Sequence, residues 1–302
     1  GYIKRLPVTT YRSQRRGGRG VTGAGTREED FIEHLFIAST HSYILVFTDR
    51  GRVHWLKVHE IPQGGRTAKG KAIVNMVEMA QQERVAAVVP VKTFDDERFI
   101  MLCTRVGTVK KTPLSAFSNP RRGGIVAIGV ESDDSLIDAV MTDGTQDIIL
   151  SKRNGKAIRF KEKDVRPMGR TAYGVRGVTL EEDDAVVGVI AVKREASVLV
   201  ATENGFGKRT PISEYRITGR GGKGIISIQT TERNGKVVAA LEVVPDDEVM
   251  LITRGGIVIR TQVKGISEIG RNTQGVRLIQ LEAGDQLIDV ARVEETEDGE
   301  EG

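Results

Sequence analysis

The chain repeats itself roughly every 50 residues, and no other feature limits its fold as much. The segments "DRGRVHW", "RVGTVKK", "RNGKAIRF", "ENGFGKR" and "RGGIVIR" each carry a glycine in a polar turn. A base or histidine follows three or four residues later. The glycines are Gly51, Gly107, Gly155, Gly205 and Gly256, separated by 56, 48, 50 and 51 residues. One step of 50 back from Gly51 reaches Gly1, in "GYIKRLP", and Arg5 then falls where Arg209 and Arg260 fall. The count of units is therefore six.

A second landmark keeps the same phase. Gly20, Gly70, Gly124, Gly174, Gly224 and Gly275 are spaced 50, 54, 50, 50 and 51 residues apart. They close the loops "QRRGGRG", "QGGRTAKG", "NPRRGG", "MGRTAYG", "TGRGGKG" and "IGRNTQG". A random linker would not recur at fixed phase, so the loops are part of the repeating fold.

Between the landmarks the signal is β. "YILVFT", "FIMLCT", "DIILSK", "SVLVAT" and "EVMLIT" are short apolar runs, each followed by a glycine turn and a second extended segment. That order is the signature of a hairpin. A further apolar strand appears as "VAAVVPV", "LIDAVMT", "VVGVIAV", "VVAALEV" and "LIDVARV". The best helical candidate, "IVNMVEMAQQERV", crosses a repeat boundary. Six small β units must bury their faces against one another, which predicts an all-β, six-bladed, propeller-like disc of four-stranded repeats. The chain starts and ends partway through a unit, so its N- and C-terminal strands are expected to share one blade and close the ring, leaving no exposed edge. Two stacked β-domains of three units each are the alternative. Residues 1–293 form the repeating body and 294–302 an acidic tail.

Composition narrows the function. The formal net charge is +4, but the tail "EETEDGEEG" holds six acids and no base. Without those six, 45 bases face 35 acids and the body carries +10. The tail reads as a solubilising end, or as a tethered competitor for the basic surface. A single cysteine excludes a disulfide framework, and Cys103 in "FIMLCT" reads as a buried strand residue rather than a reactive thiol. No apolar run approaches the roughly 18 residues of a membrane span. No signal peptide opens the chain, and its start at "GYIKR" without Met reads as a fragment of something longer.

Catalytic patterns are weak. "GRTAKGKA" nearly fits a phosphate loop, but Ala72 stands where Ser or Thr should hold magnesium. "GRGGKG" fits G-x-G-x-x-G outside any βαβ unit. Both are copies of the repeated loop. His34, His41, His54 and His59 have no metal-ligand spacing, and His54, at the position of Lys110 and Lys208, reads as a surface residue. The pairs Asp133–Asp134 and Asp183–Asp184 read as solvated loop acids rather than catalytic dyads.

What remains is positive charge distributed in sixfold fashion. The loop "QRRGGRG" contributes Gln14, Arg15, Arg16, Gly17, Gly18, Arg19 and Gly20. The other loops contribute Arg66, Lys69 and Lys71; Arg121 and Arg122; Arg170 and Arg176; Arg220 and Lys223; and Arg271 and Arg277. On a disc, equivalent positions share one rim. Any one loop could be a solvated basic turn; six in phase suit a polyanion bending around the edge. Glycine lets backbone N–H groups approach phosphates, and arginine offers a fork to their oxygens. Aromatic content of 5% argues against stacking on single strands and for duplex DNA held by its backbone.

"QRRGGRG" on six β units strongly resembles the C-terminal domain of the gyrase A family of bacterial DNA gyrases. Gln14, Arg15, Arg16, Gly17, Gly18 and Gly20 match that family's box, with Arg19 in place of lysine. The resemblance implies a six-bladed β-pinwheel that wraps duplex DNA around its rim without sequence preference. It implies that the parent is an ATP-hydrolysing type IIA topoisomerase, and that wrapping lets it introduce negative supercoils. The partners implied are duplex DNA, the N-terminal cleavage core of gyrase A, and gyrase B. ATP and magnesium would be used by the holoenzyme elsewhere, with no cofactor, metal or catalytic residue in this chain. The location implied is the bacterial cytoplasm, at the nucleoid, with no membrane partner. The box has two readings, since its glycines suit a tight closure turn and its arginines suit DNA contact. Three rivals stand beside this one: the DNA-cleavage protein of the related topoisomerase IV, which lacks an intact box; a protein-interaction propeller; and a propeller hydrolase.

Overall fold

The computed structural model describes residues 2–7, 10, 13–14, 21–22, 37–65 and 68–293. Arg15 to Gly20, Arg66 and the acidic tail lie outside the described residues. The described residues are β-structure joined by turns and short 3-10 segments, with no α-helix. The helical candidate resolves into a 3-10 turn, Ile73–Asn75, irregular chain and the first residue of the strand Val85–Val91, with Ile73, Met76, Val77 and Met79 packed against Ile44, Val46 and Leu56 of that same sheet.

Each full blade is built the same way. A middle strand pairs antiparallel with an outer strand on one side and an inner strand on the other. The middle strands are Tyr43–Thr48, Phe99–Thr104, Asp147–Lys152, Ser197–Thr202 and Glu248–Thr253. They are buried almost throughout because both faces are covered, which is why they read as continuous apolar runs rather than alternating ones. Outer strands are Arg52–Lys57, Thr108–Pro113, Lys156–Lys161, Phe206–Pro211 and Ile257–Gln262. Inner strands are Val85–Val91, Leu136–Thr142, Val186–Val192, Val237–Val243 and Leu287–Val293, and successive ones pack side by side. The apolar core lies largely between blades. Leu45 and Phe47 of one blade, for example, share a cluster with Ile100 and Leu102 of the next. Cys103 is fully buried in such a cluster, and burial pushes its thiol pKa well up, so it is a packing residue as expected.

The fourth strand of each blade comes from the following unit. The two-residue strands Ile125–Val126, Val175–Arg176, Ile225–Ile226 and Val276–Arg277 each pair with the preceding unit's outer strand. Neighbouring units are therefore stitched together by exchange.

The six-bladed expectation needs correction. Among the described residues there are five sheets of four or five strands and one two-stranded sheet, Tyr2–Ile3 with Lys71–Ala72. Strands from the N- and C-terminal parts of the chain do share one sheet, as expected, but Tyr2–Ile3 is not among them. Leu287–Val293 pairs with Glu248–Thr253 inside its own unit. Closure comes from other strands: Ser13–Gln14 and Val21–Thr22 both pair with the outer strand Ile257–Gln262. The repeat keeps its phase, but exchange of the edge strand moves the closing contact from the chain ends to the flanks of the box.

The landmark glycines turn each hairpin and link it to the next unit. Gly155 donates its N–H to the Lys152 carbonyl at 3.0 Å and has φ of 92°, the pattern of a type I turn ending in a left-handed residue. Its own carbonyl accepts from Ser227 and Ile228 of the next unit. A Cβ there would meet the Ile228 carbonyl oxygen at 2.2 Å. Gly155→Ala is therefore expected to cost about 2–4 kcal/mol, combining left-handed strain with displacement of the next unit. Thermal unfolding checks this; a midpoint unchanged from the parent chain would refute it.

Candidate nucleic-acid interface

The basic loops lie where one unit's chain crosses onto the outer strand of the unit before it. Four of the crossings start at a parallel bridge: Arg5 with Gln63, Lys111 with Pro167, Arg159 with Ile217, and Arg209 with Glu268. Each crossing ends in the short antiparallel strand that follows the closing glycine. At Gly224, φ is 79° and a Cβ would fall 2.5 Å from the Ala157 carbonyl oxygen, so the loop lies flat on the outer strand only with glycine there. The flanks of the box hold the same register. Ser13 pairs parallel with Arg260, and Val21 pairs antiparallel with Val258. Gln14 is thus a strand residue at the start of its loop.

Consecutive loops are joined edge to edge. The Arg170, Arg220 and Arg271 guanidinium groups donate to the carbonyls of Val126, Arg176 and Ile226, at 3.2, 2.8 and 2.8 Å. Each acceptor lies two residues past the glycine that closes the preceding loop. Backbone bonds reinforce the belt: Gly129 donates to Ala172, Gly221 to Gly177, and Gln229 to Thr273. Arg122 pairs with Glu78 at 2.6 Å, linking its loop back toward the preceding unit.

The predicted basic residues therefore fall into two groups. Lys69, Lys71, Arg121, Arg122, Arg176, Arg220, Lys223 and Arg277 are exposed, while Arg170 and Arg271 are half-buried. Arg170, Arg220 and Arg271 commit part of their donor set to loop carbonyls, so they shape the belt as well as charging it. Lys69 sits 4.0 Å over the Tyr2 ring and Arg277 5.2 Å over Phe206, which orients both without neutralising them.

Residues that sequence reasoning placed outside, or left without a role, lie beneath the loops. Lys110 is fully buried, and its ammonium donates to the carbonyls of Ala127, Gly169 and Arg170 at 2.5, 3.0 and 2.6 Å. Lys208 is also fully buried and donates to Gly270 and Arg271, both at 2.5 Å. Lys4 does the same for Gly65 and Ala68, at 3.0 and 2.7 Å. Burial, aided by the Arg170 charge, lowers the Lys110 pKa to about 7. Burial lowers Lys208 to about 8, with Glu214 opposing and Arg271 reinforcing the shift. His54 occupies the same position and is 1% exposed, so the surface reading fails. It packs against Gly124, burial lowers its pKa, and neither ring nitrogen has a hydrogen-bond partner. The signal available in sequence was a base at the third position after the landmark glycine, inside an otherwise strand-like run.

The turn acids are also less solvated than expected. Asp133 and Asp183 are exposed, but Asp184 is buried against the Lys152 ammonium at 3.2 Å and accepts from the Asn154 N–H. Asp134 accepts from the Val106 N–H in the same way. These carboxylates cap hairpin turns, which is a structural role.

A family model described as "DNA gyrase C-terminal domain, beta-propeller" matches residues 1–39, 42–92, 98–143, 153–193, 196–243 and 247–294. The chain belongs to this family. The gyrase model's six matched stretches follow the six sequence units one by one. The DNA gyrase A protein of Halalkalibacterium halodurans is 53% identical over 99% of this chain and 36% of its own length. The chain thus spans about a third of that relative. A structure described as "Structure of DNA gyrase A C-terminal domain" superposes with a TM-score of 0.89 at 27% identity, covering 97% of this chain and 96% of that one. The C-terminal domain of DNA topoisomerase IV superposes with a TM-score of 0.74 at 27% identity, over 84% of this chain and 80% of that one. Among the described residues no helix is long and apolar enough to cross a membrane.

Proposed function

We propose that the chain binds duplex DNA without sequence preference and wraps it around the loop belt, as the C-terminal domain of a DNA gyrase A protein. The observation that carries this reading is the belt itself. Basic loops from successive units sit at one structural position and are tied to one another by hydrogen bonds. A rigid, curved row of cations neutralises phosphates along a path, whereas scattered surface lysines do not define one. The full ring is a six-bladed pinwheel in this reading, with the box at the sixth place. Wrapping would present a DNA segment to the cleavage core, so that strand passage leaves negative supercoils. ATP and magnesium act in other parts of the holoenzyme, whose partners are DNA, the cleavage core and gyrase B in the bacterial cytoplasm.

The intact box and the closer superposition on the gyrase domain favour gyrase over topoisomerase IV. The test is topological. Nicked plasmid sealed by ligase in the presence of this chain should show a shift in linking number that grows with protein concentration, in the sense of a positive wrap. Sealed plasmid identical to the protein-free control would overturn wrapping, and a gel shift on the same samples separates that outcome from failure to bind.

A further inference from the structure

Lys110 and Lys208 hold loop carbonyls from beneath the belt. We propose that Lys110 and Lys208 are positioning residues for two backbone phosphate sites, at Arg170–Thr171 and Arg271–Asn272, an inference that rests on the duplex-binding reading above.

The geometry follows from the peptide unit. It is planar and trans, so its C=O and N–H point in opposite directions. Lys110 draws the carbonyls of Gly169 and Arg170 inward. The N–H groups of the same two peptides, those of Arg170 and Thr171, must then point away from the lysine, toward the outside of the loop. Two successive outward N–H groups form a small concavity that suits an anion oxygen. Lys208 does the same to Gly270 and Arg271, which turns out the N–H groups of Arg271 and Asn272. A carboxylate already marks this second site: the Arg271 N–H donates to Glu214 Oε2 at 3.3 Å. That oxygen stands where a phosphate oxygen would sit.

The donor count supports an ammonium in this role. Three carbonyl oxygens surround Lys110 Nζ, and only the protonated amine has three N–H groups to give. The side chain is buried, and no carboxylate pairs with it among the described residues. Below its lowered pKa of about 7, the ammonium charge therefore adds to the field beneath Arg170 as well as shaping the loop. The equivalent positions in two other units are Ile158 and Ile259, so the strand itself folds with an apolar residue there. Lysine at this position serves the loop rather than the sheet.

The test is a coupling measurement on this chain with a duplex of about 40 base pairs. Lys110→Ile copies the residue found at 158 and 259, and Lys110→Met serves as a second, unbranched replacement should the first fail to fold. Either is expected to weaken duplex affinity about tenfold and to lower the slope of log affinity against log salt by about one. Arg170→Ala should weaken the parent chain but add little in the Lys110→Ile background, because both act on one site. Paired replacement of Arg121 and Arg122, on another loop, should remain additive. Unchanged affinity and salt slope in the lysine variant, or full additivity with Arg170→Ala, would overturn the proposal while leaving duplex binding intact. A parent chain that does not bind the duplex would instead remove the underlying reading.

Discussion

In the parent topoisomerase, replacing Arg15, Arg16 and Arg19 together with alanine is expected to abolish negative supercoiling while relaxation is retained. The flanks of the box occupy the sixth loop position, and Ser13 pairs with Arg260 in the parallel register seen at four of the other loops. That position lies on the last outer strand, where the first unit's chain meets the last unit. If DNA follows the belt as proposed, charge lost at this closing position interrupts its path between the last unit and the first. Relaxation needs only strand cleavage and passage, which the resemblance assigns to other parts of the enzyme. The substitutions leave the residues of the flanking strands, Ser13–Gln14 and Val21–Thr22, unchanged. Parallel supercoiling and relaxation assays on the reconstituted enzyme decide the matter. Equal loss of both activities would mean that the box serves assembly rather than wrapping.

The second large effect is on salt. If about 6–10 phosphates are neutralised along the belt, duplex affinity should fall by on the order of 10³–10⁵ between about 50 and 200 mM salt. The exposed bases of the belt are enough for that number without counting the box: Lys69, Lys71, Arg121, Arg122, Arg176, Arg220, Lys223 and Arg277. Arg122 shares its charge with Glu78, which places the expectation toward the lower end of the range. Fluorescence anisotropy at several salt concentrations measures the slope. A slope near zero would exclude phosphate neutralisation as the basis of binding.

Much of the blade was legible in the residues. The five middle strands and five inner strands coincide end to end with the apolar runs read from sequence, such as "SVLVAT" at Ser197–Thr202 and "LIDVARV" at Leu287–Val293. Continuous apolar character over six or seven residues, bounded by a glycine turn, is strong information, because that length and those flanks fit a strand covered on both faces. The loops were legible as a set because glycine recurred where the chain must lie against a neighbour's carbonyl, as at Gly224. The burial of His54, Lys110 and Lys208 was not legible. A charged or titratable residue in a strand reads as solvent-facing unless a partner is known. For the two lysines the partners are carbonyls some 60 residues away in the next unit.

The sequence by itself determined the β class, the period, the hairpins and the basic character of the loops, since each depends on local pattern and backbone preference. Only the tertiary structure decided which strand each two-residue edge segment joins. It also decided that Ser13–Gln14 and Val21–Thr22, rather than Tyr2–Ile3, join the sheet of the last strand, and that lysines rather than apolar residues support two of the loops from within. A segment as short as Ile225–Ile226 carries almost no pattern of its own. Its place is set by hydrogen bonds to Lys156 and Ala157 of the preceding unit, a choice made by long-range closure.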